Sequence, residues 1–154
     1  MAYLIIFCAQ YLIVLILLGV LLRGLLLRSE LRRDTVLRLL VGGAIAAVLT
    51  KLAAYIYNDP RPFVTGHFTP LIAHVADNGF PSDHVVLGLV ASLALFQADR
   101  RLRLALACLA IWVGFCRVLA GIHHVQDVGG SILIALLAMW CANLVLRLVL
   151  GKRP

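Results

Sequence analysis

Three short strings in this sequence combine residue types that seldom sit against apolar helices unless they act on something. The first is Phe80-Pro81-Ser82-Asp83-His84, which runs straight into an apolar segment. Pro81 suits a first helical turn, and Ser82 or Asp83 can cap it. The free N–H groups and positive end of such a helix form an anion site, with His84 inside the first turn. The second string is Arg117-Val-Leu-Ala-Gly-Ile-His123-His124-Val-Gln-Asp127. Arg117 offers a planar, permanently charged fork that matches phosphate oxygens. His123 and Asp127 are spaced i,i+4, so a helix would place them on one face. A carboxylate on one imidazole nitrogen sets the tautomer and leaves the other nitrogen nucleophilic. His124 would point about 100° away on that helix and reads as an interfacial residue.

The third string is Asp59-Pro60-Arg61-Pro62-Phe63. Its prolines stiffen the backbone around Arg61 and aim the side chain as a second phosphate clamp. Lys51, about two turns before the end of the preceding apolar segment, can snorkel to the same site or only to the interface. Together these residues outline a phosphate or diphosphate site without selecting its nucleophile. A divalent metal held by His123, Asp127, His84 and His74 is the competing chemistry. Three fixed cations would repel such an ion and do the same electrostatic work on a phosphoryl group. No metal and no cofactor is therefore expected.

The elements that must position these residues are membrane helices. The chain has 154 residues, 63% of them hydrophobic, whereas soluble domains lie nearer one half apolar. Apolar runs over residues 3–27, 36–57, 82–98, 104–120 and 128–150 are of bilayer-spanning length. They imply an all-α bundle of about five transmembrane helices forming a single domain over residues 1–154. Asp59-Pro60 ends the second run. The long polar connection, residues 58–81, and the shorter one, residues 117–127, carry the chemistry. The first run lacks a basic leader and a small-residue cleavage site, so a cleaved signal peptide is not expected. Four cysteines lie in or beside apolar runs without CxxC spacing and read as packed thiols.

Charge sets the orientation. Arg23, Arg28, Arg32, Arg33 and Arg38, then Arg100, Arg101 and Arg103, then Arg147, Lys152 and Arg153 follow the first, third and fifth runs. These are eleven of the fourteen Lys and Arg residues, so this side is cytoplasmic, the N-terminus outside and the C-terminus cytoplasmic. The net charge of +7 follows from that bias, and no nucleic-acid partner is expected. Lys51, Arg61 and Arg117, with Asp59, Asp77, Asp83, Asp127 and all five histidines, gather toward the outer face. Ionisable groups at membrane depth cost several kcal/mol, so such a gathering marks a site.

In chain order, Arg61-Pro62, Pro81-Ser82-Asp83-His84 and Arg117-x5-His123-x3-Asp127 resemble the motifs of the type 2 phosphatidic acid phosphatase superfamily of membrane lipid phosphatases. The fuller strings, including His74-x2-Asp77, are most similar to the bacterial undecaprenyl-diphosphate phosphatase branch. The resemblance implies that His123 is the nucleophile, forming a phosphohistidine with Asp127 orienting it. It implies that His84 protonates the leaving phosphate and then activates water. Arg61, Ser82, Arg117 and Lys51 would hold the phosphate oxygens, without a metal. Lys51 stands about one helical turn farther from Arg61 than the family's lysine usually does. Cys116 occupies the place of the serine that commonly precedes the second arginine, and one N-terminal span fewer is present than in most members. The implied substrate is a lipid diphosphate, undecaprenyl diphosphate above all, met among membrane lipids at the outer face of a bacterial plasma (inner) membrane. Phosphatidylglycerol phosphate, phosphatidate or lipid A are alternative substrates. A transporter that grips a lipid phosphate without cleaving it is the alternative from another class, and it would not need His84, His123 and Asp127.

Overall fold

The computed structural model describes residues 1–151, so Lys152 and Arg153 of the third basic cluster lie outside the described residues. Six helices follow in order: α1 (Ala2–Leu26), α2 (Ser29–Ile56), α3 (Pro62–Thr65), α4 (Asp83–Ala94), α5 (Arg100–Leu119) and α6 (Val125–Leu150). Among the described residues the β contribution is an isolated bridge between Pro60 and Asn78. Helices are the required outcome for long apolar runs, because in lipid each backbone N–H and C=O must be paired within the segment. Four of them, α1, α2, α5 and α6, are long and apolar enough to cross a membrane.

The expected third span, residues 82–98, is different. Its helix has 12 residues, about 18 Å at 1.5 Å per residue, short of the roughly 30 Å hydrocarbon core. α4 is instead the buried axis of the bundle, packed against α1, α2, α5 and α6. Leu95 donates back to Ser92 O (3.2 Å) and breaks the helical register. The guanidinium groups of Arg38 and Arg103 then lie over the Phe96 ring, at 5.3 and 4.9 Å from its centroid. Arg103 also donates to the Phe96 carbonyl at 2.7 Å. Since α4 is sheathed by longer helices, it needs no bilayer-length run of its own. α2 begins well before the expected boundary, at Ser29, because residues 29–35, Arg32 and Arg33 among them, extend the helix rather than precede it.

The two ends of the bundle differ in chemistry. At one end Arg23 pairs with Asp99 (3.2 Å), and Arg38 pairs with buried Asp34 (2.6 Å) and with Asn143 of α6. The other end holds the loop of residues 57–82 and the turn between α5 and α6. Basic clusters and candidate chemistry therefore occupy opposite ends, as the charge pattern implied.

Candidate active site

Local chain logic builds this end. α5 finishes in a Schellman motif: Gly121 takes φ +77°, Gly121 N–H bonds to Val118 O (2.9 Å) and Ile122 N–H to Arg117 O (3.2 Å). Glycine is favoured there because a Cβ resists the left-handed conformation. The motif folds His123 back over the end of α5, beside Arg117. α6 then starts at Val125, one residue after His124. The expected one-face pairing of His123 and Asp127 within a helix is thus corrected, because His123 precedes the helix. Their contact forms all the same, His123 Nδ1 to Asp127 Oδ2 at 3.1 Å. Asp127, in the first turn, reaches back past the helix start, and the same Oδ2 accepts the His124 N–H at 2.8 Å. A carboxylate only accepts, so His123 carries its proton on Nδ1 and leaves Nε2 with a free lone pair.

Nε2 faces Arg61, whose Nη1 lies 3.5 Å away and donates to Ile122 O at 2.8 Å. Arg61 Nε is fixed by Asp77 at 2.6 Å. Burial raises the Asp77 pKa, but the hydrogen bond and charge of Arg61 outweigh it and hold that carboxyl below its ordinary range. The His123 imidazole is held below the ordinary histidine range, first by burial, then by the charges of Arg117 and Arg61, against the opposing pull of Asp127.

The residues of the cluster are buried. Asp127 and Ser82 are 0% exposed, His123 2%, Arg117 5% and Arg61 6%. Buried polar atoms are almost always paired, yet Ser82 Oγ, Arg117 Nε and Asp127 Oδ1 have no hydrogen-bond partner. Two of these atoms, Ser82 Oγ and Arg117 Nε, are donors, and both lie at the same end of the bundle. Ser82, one of the two expected caps, is the N-cap residue of α4, but its side chain makes no capping bond. The first intrahelical bonds come from Val85 and Val86 to Ser82 O, both 3.1 Å, so the N–H groups of Asp83 and His84 precede the ladder. His84 is half-buried and lies within electrostatic reach of Arg117, His123 and His74. Of the seven expected residues, His123, Asp127 and Arg61 are in direct contact, Ser82 is tied to Asp127 through Ser131, and Arg117 lies within electrostatic reach of Arg61 and His123 while its Nη1 donates to Ala9 O of α1 at 3.3 Å. His84 flanks them. Lys51 is exposed on α2 and joins none of the site's hydrogen bonds or ion pairs among the described residues.

Sequence reasoning missed the scaffold that holds this cluster. Asn78 uses its whole amide: Oδ1 accepts from Asp59 N–H and Phe80 N–H (both 2.9 Å), and Nδ2 donates to Ala54 O (3.0 Å) and Tyr57 O (2.9 Å). Its only linear signal is the Asn78-Gly79 turn pair. Ser131 Oγ accepts the Ser82 N–H (2.8 Å) and lies 2.6 Å from Asp127 O, tying α6 to the start of α4. His124, read as interfacial, bonds Asp59 Oδ2 at 3.1 Å, and Gln126 reaches the same oxygen at 2.6 Å. Among the described residues, those whose ligand atoms group for a cation are Asp59, His124 and Asp127, all within 4.8 Å, not the set of His84, His74, His123 and Asp127.

A proton-poor imidazole nitrogen, two guanidinium groups and unpaired buried donors can bind a phosphoryl group and attack it. Comparison with known proteins agrees. Residues 35–150 match the family model described as the PAP2 superfamily. The chain is 34% identical over 132 residues to an undecaprenyl-diphosphatase of Bacillus subtilis, covering 86% of this chain and 68% of the relative. It is 28% identical to a bacitracin transport permease protein of Bacillus licheniformis, over 88% of this chain and 69% of that one. A 63-residue stretch, 40% of this chain, is 41% identical to a lipid A 1-phosphatase of Rhizobium etli and covers 26% of it. No solved structure matches. Helical architecture, motif order and matched length converge: the chain belongs to the PAP2 superfamily and is a membrane phosphatase, a hydrolase of phosphoric esters.

Proposed function

We propose that this phosphatase hydrolyses a polyprenyl diphosphate, undecaprenyl diphosphate in particular, to the monophosphate and phosphate at the outer face of a bacterial plasma membrane. One observation carries the reading: the His123 nitrogen freed by Asp127 faces Arg61 at 3.5 Å, at the end of the bundle that also holds two buried donors without partners, Ser82 Oγ and Arg117 Nε. The substrate class is supported by the name of the Bacillus subtilis relative. The outer orientation is supported by the basic clusters at the opposite end of the bundle.

In the proposed mechanism Arg61, Arg117, Ser82 and the first N–H groups of α4 hold the non-bridging oxygens of the terminal phosphate. His123 Nε2 forms a bond to phosphorus as the bridging P–O bond breaks. His84 gives its proton to the departing lipid monophosphate. Water then attacks the phosphohistidine while His84 takes its proton, and inorganic phosphate leaves with His123 restored. Asp127 keeps the Nδ1 proton in place throughout and stabilises the cationic ring. Lys51 contributes at most long-range attraction for the headgroup.

The test is phosphate release in detergent, without added metal, from undecaprenyl diphosphate, phosphatidylglycerol phosphate, phosphatidate and lipid A, with His123→Ala as control. The proposal expects the polyprenyl diphosphate to rank first and the control to be inactive. Full activity of His123→Ala would remove the nucleophile assignment, and lipid flipping without phosphate release would favour a transporter.

A further inference from the structure

α1 and α2 are joined by Leu27 and Arg28 alone, yet they scarcely touch along their length. An apolar cavity of about 450 Å³ lies between them, lined on the α4 side by Leu87, Val90 and Ala91. A second cavity of about 220 Å³ lies between α2 and α4. The two share Gly43, Leu87 and Val90, so they form one trough. Its α2 wall is a single helical face: Thr50, Ala47, Gly43, Leu39, Val36 and Arg32. From Thr50 to Arg32 that wall runs about 27 Å at 1.5 Å per residue, close to the roughly 30 Å depth of the hydrocarbon core.

The upper end of the trough is defined by Thr50 and Asp83. Asp83 stands between Ser82 and His84 in the chain and within electrostatic reach of Arg117. The trough therefore opens beside the cluster that holds the phosphate. Midway down, Gly43 removes a side chain from the wall, and near the far end Gly24 of α1 does the same. A Cβ built on either glycine meets no atom within 4 Å. Neither glycine is demanded by helix packing, and each costs about 1 kcal/mol of helix propensity against alanine. What both provide is open width.

We propose that this trough receives the prenyl chain of the substrate whose diphosphate occupies the catalytic cluster, so that α1, α2 and α4 measure chain length. The inference rests on the polyprenyl diphosphate reading above and adds where the chain lies. A headgroup bound at Arg61 and Arg117 leaves its first carbons at the Asp83 end, and the apolar walls then shield the chain to the opposite side of the bilayer.

Gly43→Leu and Gly24→Leu test it at two depths, and neither introduces a clash at Cβ. For Gly43→Leu, kcat/KM on a long polyprenyl diphosphate is expected to fall at least about tenfold, the scale of mismatched hydrocarbon in a fitted apolar site. Hydrolysis of a short prenyl diphosphate, whose chain ends above Gly43, should be unchanged. Gly24→Leu should affect only the longest chains. Equal effects on all chain lengths, or none on any, would overturn the assignment. A second readout does not need hydrolysis: an alkyl phosphate with a photoreactive diazirine at its chain end, cross-linked to the wild-type protein and mapped by mass spectrometry. Adducts on α1 or α2 along the trough, competed by polyprenyl phosphate and not by excess phosphatidylcholine, are the expected result. Adducts spread over the lipid-facing surface would overturn the trough even if diphosphate hydrolysis stood. Adducts in the trough without any diphosphate hydrolysis would sink the substrate reading and leave the lipid-chain site.

Discussion

Replacing Asp127 by Asn tests the proposed chemistry at its narrowest point. Asp127 is fully buried, and its Oδ2 accepts from both His123 Nδ1 and the His124 N–H, at 3.1 and 2.8 Å. Asparagine keeps the volume but removes the charge, and its NH2 can donate to Nδ1. That would shift the ring proton to Nε2, the nitrogen that must be free to attack, and would turn an N–H toward Arg61. The same tautomer error in a Ser-His-Asp triad costs about 10⁴-fold in kcat, so a loss of roughly 10³–10⁴-fold is expected, about 4–5.5 kcal/mol of barrier. KM should barely move, because Arg61, Arg117 and Ser82 still hold the phosphate. Phosphate release from a polyprenyl diphosphate under saturating substrate measures the loss, and inhibition by inorganic phosphate checks that binding survives. The acid limb gives a second reading. Burial already holds the His123 pKa down while Asp127 pulls it up, so loss of the carboxylate should move the limb to still lower pH. A rate within about tenfold of wild type, with the limb unmoved, would refute the orienting role of Asp127.

The remaining expectations follow from the same geometry. Arg61→Ala should lower kcat/KM by roughly 10²–10³-fold, the scale of a lost transition-state donor, with Asp77→Asn far milder because Asp77 only braces that arginine; steady-state kinetics on both variants checks the order. Ser131→Ala breaks the link between Ser82 N–H and α6, and Ser82 N–H is left buried and unpaired. A stability loss of about 1–3 kcal/mol is expected, read as faster thermal inactivation in detergent. In wild type the rate should fall on acidification only below the ordinary histidine range, since protonation of Nε2 removes the nucleophile and His123 is held low; a pH–rate profile decides this. Activity should persist in excess chelator, and its loss would redirect attention to Asp59, His124 and Asp127 as cation ligands.

Much of this protein could be read from its linear pattern. Continuous apolar runs compel helices because lipid offers no alternative partner to the backbone, and the basic clusters separate one end of the bundle from the other. Residue chemistry points to phosphate without reference to the fold: Arg61, Arg117, His123 and Asp127 have few other reasons to be near apolar helices. Ser82 and Arg117 sit buried with unpaired donors, in keeping with that reading. Spacing rules served less well where the chain turns. His123 and Asp127 meet, but across a helix start rather than along a helix face, because the Schellman turn at Gly121 sets the direction of entry.

Tertiary structure alone decided the rest, since those features depend on contacts between residues far apart in the chain. Asn78 is a common loop residue until its four hydrogen bonds to Ala54, Tyr57, Asp59 and Phe80 are seen to hold the loop beneath Arg61. Ser131 gains meaning only from Ser82, 49 residues away. α4 is short because longer helices sheath it, which no local pattern states, and its packing is what sets the Ser82 end against Ser131 of α6. Lys51 carried a charge and a position that suited the site, but the face of α2 on which it falls leaves it outside the cluster. Sequence supplied the reacting groups and the helices, and packing supplied their convergence, since distances between side chains on separate helices are set by how those helices fit together.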